Sequence, residues 1–155
     1  MGVNSVKEKI EVPVEYVAIR LYAHATEDEN KVLEAVKNLF PGEYAEEITF
    51  KETKLRGHHG NPIILFETRV TKKKIVRSLI ERIVSNLKPI DKEELARKID
   101  LHLQDGDLYI RLDKQRAYRG EIAFSNVDPI WIKIRFRRGA RSNMIEACRR
   151  MGLIP

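Results

Sequence analysis

Four side chains near the C-terminal end of this 155-residue chain have the types and spacing for chemistry with a polyanion. Trp131, Lys133, Arg135 and Arg137 alternate with Ile130, Ile132, Ile134 and Phe136. In a strand, alternate residues share a face, so an indole and three cations line up opposite an apolar stripe. Planar rings mixed with guanidinium and ammonium groups can stack bases and neutralise phosphates. Two other predicted strands present the same mixture outward: Tyr16, Arg20, Tyr22 and His24 in the first, and Tyr109 and Arg111 near residue 110. A solvated sheet face must be polar in any case, and aromatic residues favour strands. The competing use of such a face is therefore an interface with a second protein chain.

A second cationic cluster opens a predicted helix. Thr71-Lys72-Lys73-Lys74, followed by Arg77, places positive charge against the positive end of the helix macrodipole. Each such cation costs about 0.3–1 kcal/mol, so the arrangement reads as an anion site rather than a stability device. Other constellations are weaker. His24 with Glu27 and Asp28 has a structural explanation as acids in a helix start, and His58-His59 lacks a third metal ligand nearby in sequence. Asp105-Gly106-Asp107 is a hairpin turn, not a calcium loop. Cys148 has no evident base partner and reads as a small buried hydrophobe. No phosphate loop, dinucleotide fingerprint or nucleophile elbow occurs. The expectation is a non-enzyme with no metal and no cofactor.

The elements that must position these groups follow from periodicity. Val17, Ile19, Leu21 and Ala23 alternate with polar and aromatic residues, giving a strand from Val12. Thr26-Glu27-Asp28-Glu29 reads as a capping box for a helix that runs through Phe40 and stops at Pro41-Gly42. Strands near 47–55 and 63–70 flank the loop Gly57-His58-His59-Gly60-Asn61-Pro62. A helix over about 71–87 and a short one from Asp91 follow. Leu101 and Leu103 pair across Asp105-Gly106 with Leu108, Ile110 and Leu112. Asp113 is positioned to cap a short helix near 114–120, and a closing helix covers about 141–151 after the last strand. The fold class is α+β, in the order β-α-β-β-α-α-β-β-α-β-α, with an antiparallel or mixed sheet and helices packed mainly on one face.

Composition sets the frame. One domain over 1–155 is expected, with a loose polar start at 1–10. A single cysteine rules out an intrachain disulfide framework, and a cytoplasmic location is the simple expectation. The longest apolar run, Pro62–Phe66, is strand-sized, and the first residues lack a signal-peptide core, so no membrane partner is expected. Net charge is +6 but unevenly spread: residues 1–50 carry 5 Lys/Arg against 10 Asp/Glu, and residues 51–155 carry 24 against 13. That asymmetry suits a surface that meets a polyanion on one side.

The sequence of helix, strand, Gly/His/Pro loop, strand and lysine-rich helix start resembles the double-stranded-RNA-binding domain, although that family has three strands where two fit here. The resemblance implies a groove-contacting loop at His58, His59 and Asn61 and phosphate contacts at Lys72, Lys73 and Lys74. A closer resemblance is to an archaeal family of RNA-binding proteins and predicted exosome subunits, with a fold like that of the ribosomal protein that binds 5S RNA. It is carried by Ala23–Glu29, Gly57–Ile63, Asp107–Gln115 and Asp128-Pro129-Ile130. The combined expectation is a non-catalytic RNA-binding protein, accessory to an RNA-processing or degradation complex. Its candidate contacts are Lys72, Lys73, Lys74, Arg77, His58, His59, Asn61, Trp131, Lys133, Arg135 and Arg137. The alternative is an interaction module whose open sheet face forms a homodimer or a complex.

Overall fold

In the computed structural model, which describes residues 12–155, the first strand organises everything else. The polar start expected to be loose lies outside the described residues. β1 (Val14–His24) buries Val14, Val17, Ile19, Leu21 and Ala23 to 3% exposure or less. Val14 and Val17 have opposite parity, so a regular strand could not bury both. A register shift between Val14 and Tyr16 resolves this, since a bulge adds one residue and restores the inward direction.

Around β1, antiparallel pairing builds a six-stranded sheet in the order β2-β3-β1-β6-β5-β4, with β2 Lys51–Arg56, β3 Pro62–Val70, β4 Leu103–Gln104, β5 Asp107–Leu112 and β6 Ile130–Phe136. Its apolar face is covered by helices, chiefly α1 (Glu29–Lys37), α3 (Lys73–Asn86) and α7 (Met144–Met151). Ile75, Val76, Leu79, Ile80 and Ile83 supply the buried stripe of α3, at the spacing of one helix face. Gly152 ends α7 at φ 90°, where a side chain would be strained, and a Cβ there would lie 2.9 Å from Val84. The closing helix is thereby seated on α3.

Several elements differ from expectation for local reasons. Glu27 N–H donates to the His24 carbonyl at 2.9 Å, which closes a turn over Thr26. The cap of α1 is therefore Asp28, whose carboxylate accepts from Asn30 N–H at 2.8 Å. The helix also ends early, at Lys37, because Leu39 and Phe40 tighten into i→i+3 bonds. Pro41 then precedes a new helix instead of ending α1: α2 spans Gly42–Ala45. Pro89 occupies the first turn of α4 (Pro89–Arg97), ahead of the start expected at Asp91, since a missing N–H is harmless there. Leu101 belongs not to a strand but to α5 (Ile99–His102), and is 83% exposed. Both Asp105 and Gly106 have positive φ, as a two-residue hairpin requires, but pairing stops after Gln104 and Leu103. Asp113 caps α6 (Lys114–Tyr118) as expected, and the closing segment is a 3₁₀ turn, Arg138–Asn143, before α7.

Among the described residues no helix is long and apolar enough to cross a membrane. Cys148 is fully buried in the core, and burial pushes its thiol up to about 12. At pH 8 a maleimide should therefore leave the native protein unlabelled and modify it fully in denaturant, as read by intact mass.

Candidate nucleic-acid interface

The uncovered face of the sheet follows from its register. Arg20 of β1 and Arg111 of β5 both lie directly opposite Trp131 of β6. Their guanidinium carbons sit 5.3 and 5.1 Å from the indole centroid, one from each flanking strand. One step along, Arg69 of β3 lies opposite Ala18, which lies opposite Lys133. Arg69 and Lys133 approach Tyr16 at 4.1 and 5.8 Å. Each such contact is worth about 0.5–1 kcal/mol at exposed sites, which biases a long side chain toward the position over its ring. The rings therefore act as spacers that orient cations.

Ala18 leaves a gap between Arg69 and Lys133, and a cleft of about 760 Å³ opens across the face. Arg20, Lys51, Arg69, Arg111 and Lys133 line it against a single acid, Glu67. Arg20, Arg69 and Arg111 are exposed, and Asn126 further fixes Arg111 through a 3.1 Å hydrogen bond. Such a concave, predominantly positive surface concentrates a polyanion.

Of the residues expected from sequence, Trp131 and Lys133 lie in this cleft. Arg135 shares their face but is engaged: it donates to the Asp105 carbonyl at 2.7 Å and to Asp107 at 3.2 Å. Arg137 is exposed just past β6, beside a separate 420 Å³ cleft with Asn143 and Arg150. Lys72, Lys73 and Lys74 are exposed at the start of α3, where Lys72 pairs with Glu47 at 3.0 Å, and Arg77 is half-buried one turn on. Of these lysines, Lys72 lines a separate cleft of about 130 Å³ together with Arg69 and Glu47.

His58, His59 and Asn61 lie elsewhere. The two rings meet edge to face at 5.0 Å at the tip of the β2–β3 hairpin, closed by a hydrogen bond from Gly57 N–H to the Asn61 carbonyl. β3 separates this tip from the lysines by about 30 Å, so the structure does not bring the loop and the helix start together. Arg69 and Lys51 were missed from sequence. They carry no motif, and only pairing across β2, β3 and β1 brings them to the cleft.

A second polar cluster holds the edge of the face in place. His24, Glu27 and Asp128, not Asp28, offer ligand atoms within 4.8 Å of one another. The Lys114 ammonium lies among them, 2.9 Å from Glu27, 2.6 Å from Asp128 and 2.9 Å from the Tyr22 carbonyl. It stands where a cation would bind, and only 5% of the residue is exposed. Burial alone would raise the Asp128 carboxyl, but hydrogen bonds from Lys114 and His24 outweigh it and hold it below its ordinary value of 3.8.

Residues 16–137, which include the whole cleft, match the family model described as RNA binding. The RNA-binding protein PAB1135 of Pyrococcus abyssi is 35% identical over 127 residues, covering 78% of this chain and 80% of that protein. Uncharacterized protein MJ0213 of Methanocaldococcus jannaschii is 37% identical over 118 residues, covering 74% and 78%. The crystal structure of protein AF2318 from Archaeoglobus fulgidus, of family DUF54, superimposes with a TM-score of 0.75 at 31% identity, covering 89% of this chain and 99% of that one. Mth689 from Methanothermobacter thermautotrophicus, also a DUF54 protein, gives 0.73 at 27% identity, covering 89% and 97%.

Proposed function

The chain belongs to the RNA-binding family, and from that premise we propose that it binds RNA with the open face of its sheet. The observation that carries this reading is the row Arg20–Trp131–Arg111, in which one indole presets two exposed guanidinium groups at the floor of a cationic cleft. Arginine's planar fork matches phosphate geometry, and a preset side chain loses less entropy on contact. Tyr16, holding Arg69 and Lys133, repeats the device one step along.

The protein is then a non-catalytic accessory to RNA processing or degradation, presenting RNA to a partner that carries the chemistry. Metal-assisted phosphodiester cleavage calls for grouped carboxylates at the bound phosphate. Glu67 is the one acid lining the cleft among the described residues, and the cluster at Asp128 already surrounds an ammonium. One hydrophobic core joins strands and helices from Val12 to Ile154, which supports reading the chain as a single binding domain.

Fluorescence anisotropy with labelled RNA across a salt series tests the reading. Affinity should fall steeply with salt, with a slope of roughly 0.7–0.9 per phosphate neutralised. No binding at low salt, together with a dimer on sizing that dissociates when Arg20 and Trp131 are replaced, would instead make this face a protein interface.

The exposed lysines at the start of α3 offer a second cationic surface. Lys73→Glu with Lys74→Glu should hold or raise Tm by a few degrees, since each change relieves about 0.3–1 kcal/mol of repulsion at the helix start. RNA affinity should fall several-fold at unchanged or greater stability. Unchanged affinity would confine the contact to the cleft.

A further inference from the structure

We infer that the cleft takes single-stranded RNA, with one nucleobase seated on Tyr109 beside Leu101 at the β5 rim while the flanking cations hold its phosphates; this rests on the RNA-binding reading above. The rings of the open face are not equivalent. Trp131 and Tyr16 are half-buried with cations over them, so a base could stack there only by displacing a guanidinium or ammonium group. Tyr109 is the most exposed ring of that face, at 39%. It lies directly opposite Lys133 and two residues from Arg111, a separation of about 7 Å along the strand that suits one nucleotide's base and phosphate.

Leu101 completes the seat. A lone exposed leucine is ordinary on a protein surface, but this one is 83% exposed and lines the same cleft as Tyr109. Its place is fixed: Leu101 N–H donates to the Lys98 carbonyl at 2.9 Å, and neighbouring His102 is 2.7 Å from the Tyr109 carbonyl through Nδ1. Helix α5 is thereby tied to the strand that carries the ring. An apolar rim of this kind has nothing to contact on a duplex, whose bases are stacked inside and whose surface is sugar and phosphate. An unpaired base offers both a π face and an apolar edge.

The test compares a labelled 12-nucleotide oligouridine, the same oligomer with abasic sites, and a blunt RNA duplex, all by anisotropy at one salt concentration. Emission from Trp131, the sole tryptophan, reports occupancy of the cleft independently. Wild type should prefer the oligouridine to both other probes. Tyr109→Ala should weaken oligouridine binding roughly 10-fold, the scale of one lost base stack, without changing the salt slope, because no charge is lost. Leu101→Ser, an exposed change that spares the core, should weaken it several-fold in the same direction. Equal affinity for oligouridine and duplex, or Tyr109→Ala and Leu101→Ser variants that bind oligouridine like wild type, overturns the base seat while RNA binding by the cationic face stands. Loss of every probe's response, including Trp131 emission, removes the RNA-binding reading as well.

Discussion

Replacing Arg20 and Arg111 together with alanine is expected to lower RNA affinity about 100-fold, taking roughly tenfold for each guanidinium. A charge-assisted hydrogen bond is worth about 1.5–3 kcal/mol net, and tenfold in affinity corresponds to about 1.4 kcal/mol. Both arginines are exposed and sit across one indole, so they should act on neighbouring phosphates. The salt slope should fall by about 1.5 as two phosphate contacts are lost. Stability should change little, since each removed cation–π contact contributes only about 0.5–1 kcal/mol. Arg20→Lys with Arg111→Lys separates charge from geometry: the slope should stay near wild type while affinity drops to an intermediate value, because an ammonium keeps the charge but not the planar fork. An alanine pair that binds RNA as wild type does would remove the sheet face from consideration.

The largest expected effect on stability comes from Lys114→Met. Removing one member of a buried ionic cluster leaves its partners desolvated and unpaired, which costs about 3–5 kcal/mol. The low end applies, because the Asp128 side chain is 36% exposed and water can reach it. A loss near 3 kcal/mol corresponds to a fall in Tm of roughly 9 °C for a chain of this size. Lys114→Met with Glu27→Gln and Asp128→Asn should recover much of that loss, since the orphaned charges go too.

The acid limb of the stability curve gives a second readout. The folded Asp128 carboxyl lies below its ordinary value of 3.8, so the unfolded chain binds the proton more readily. Its contribution is therefore complete above the ordinary value and is lost as pH falls through the lower folded one. Lys114→Met removes the main cause of that depression, so the acid limb should flatten. An unchanged acid limb would mean that Lys114 does not set the Asp128 equilibrium. Lys114 ties the Tyr22 carbonyl of β1 to the turn before β6, close to where Arg20 meets Trp131.

How much of this was written in the sequence depends on the range of the interaction. Strand parity was legible: Ile130, Ile132, Ile134 and Phe136 point into the core and Trp131, Lys133 and Arg135 away from it, because the backbone alone alternates side chains. The Asp105-Gly106 hairpin was legible for the same kind of reason, since few residues accept two successive positive φ angles. The Asp113 cap needed only its own turn. Local energetics misled where two local solutions competed, as at Thr26 and Asp28, which could each cap a helix until the turn at Glu27 chose. The sequence could not disclose which strands would be neighbours. Alternation fixes a residue's face but says nothing about its partner across the sheet, which is chosen by burial summed over the whole core. Only that pairing sets Trp131 between Arg20 and Arg111, brings Arg69 and Lys51 to the cleft, and carries Asp128 back to His24 from 104 residues away.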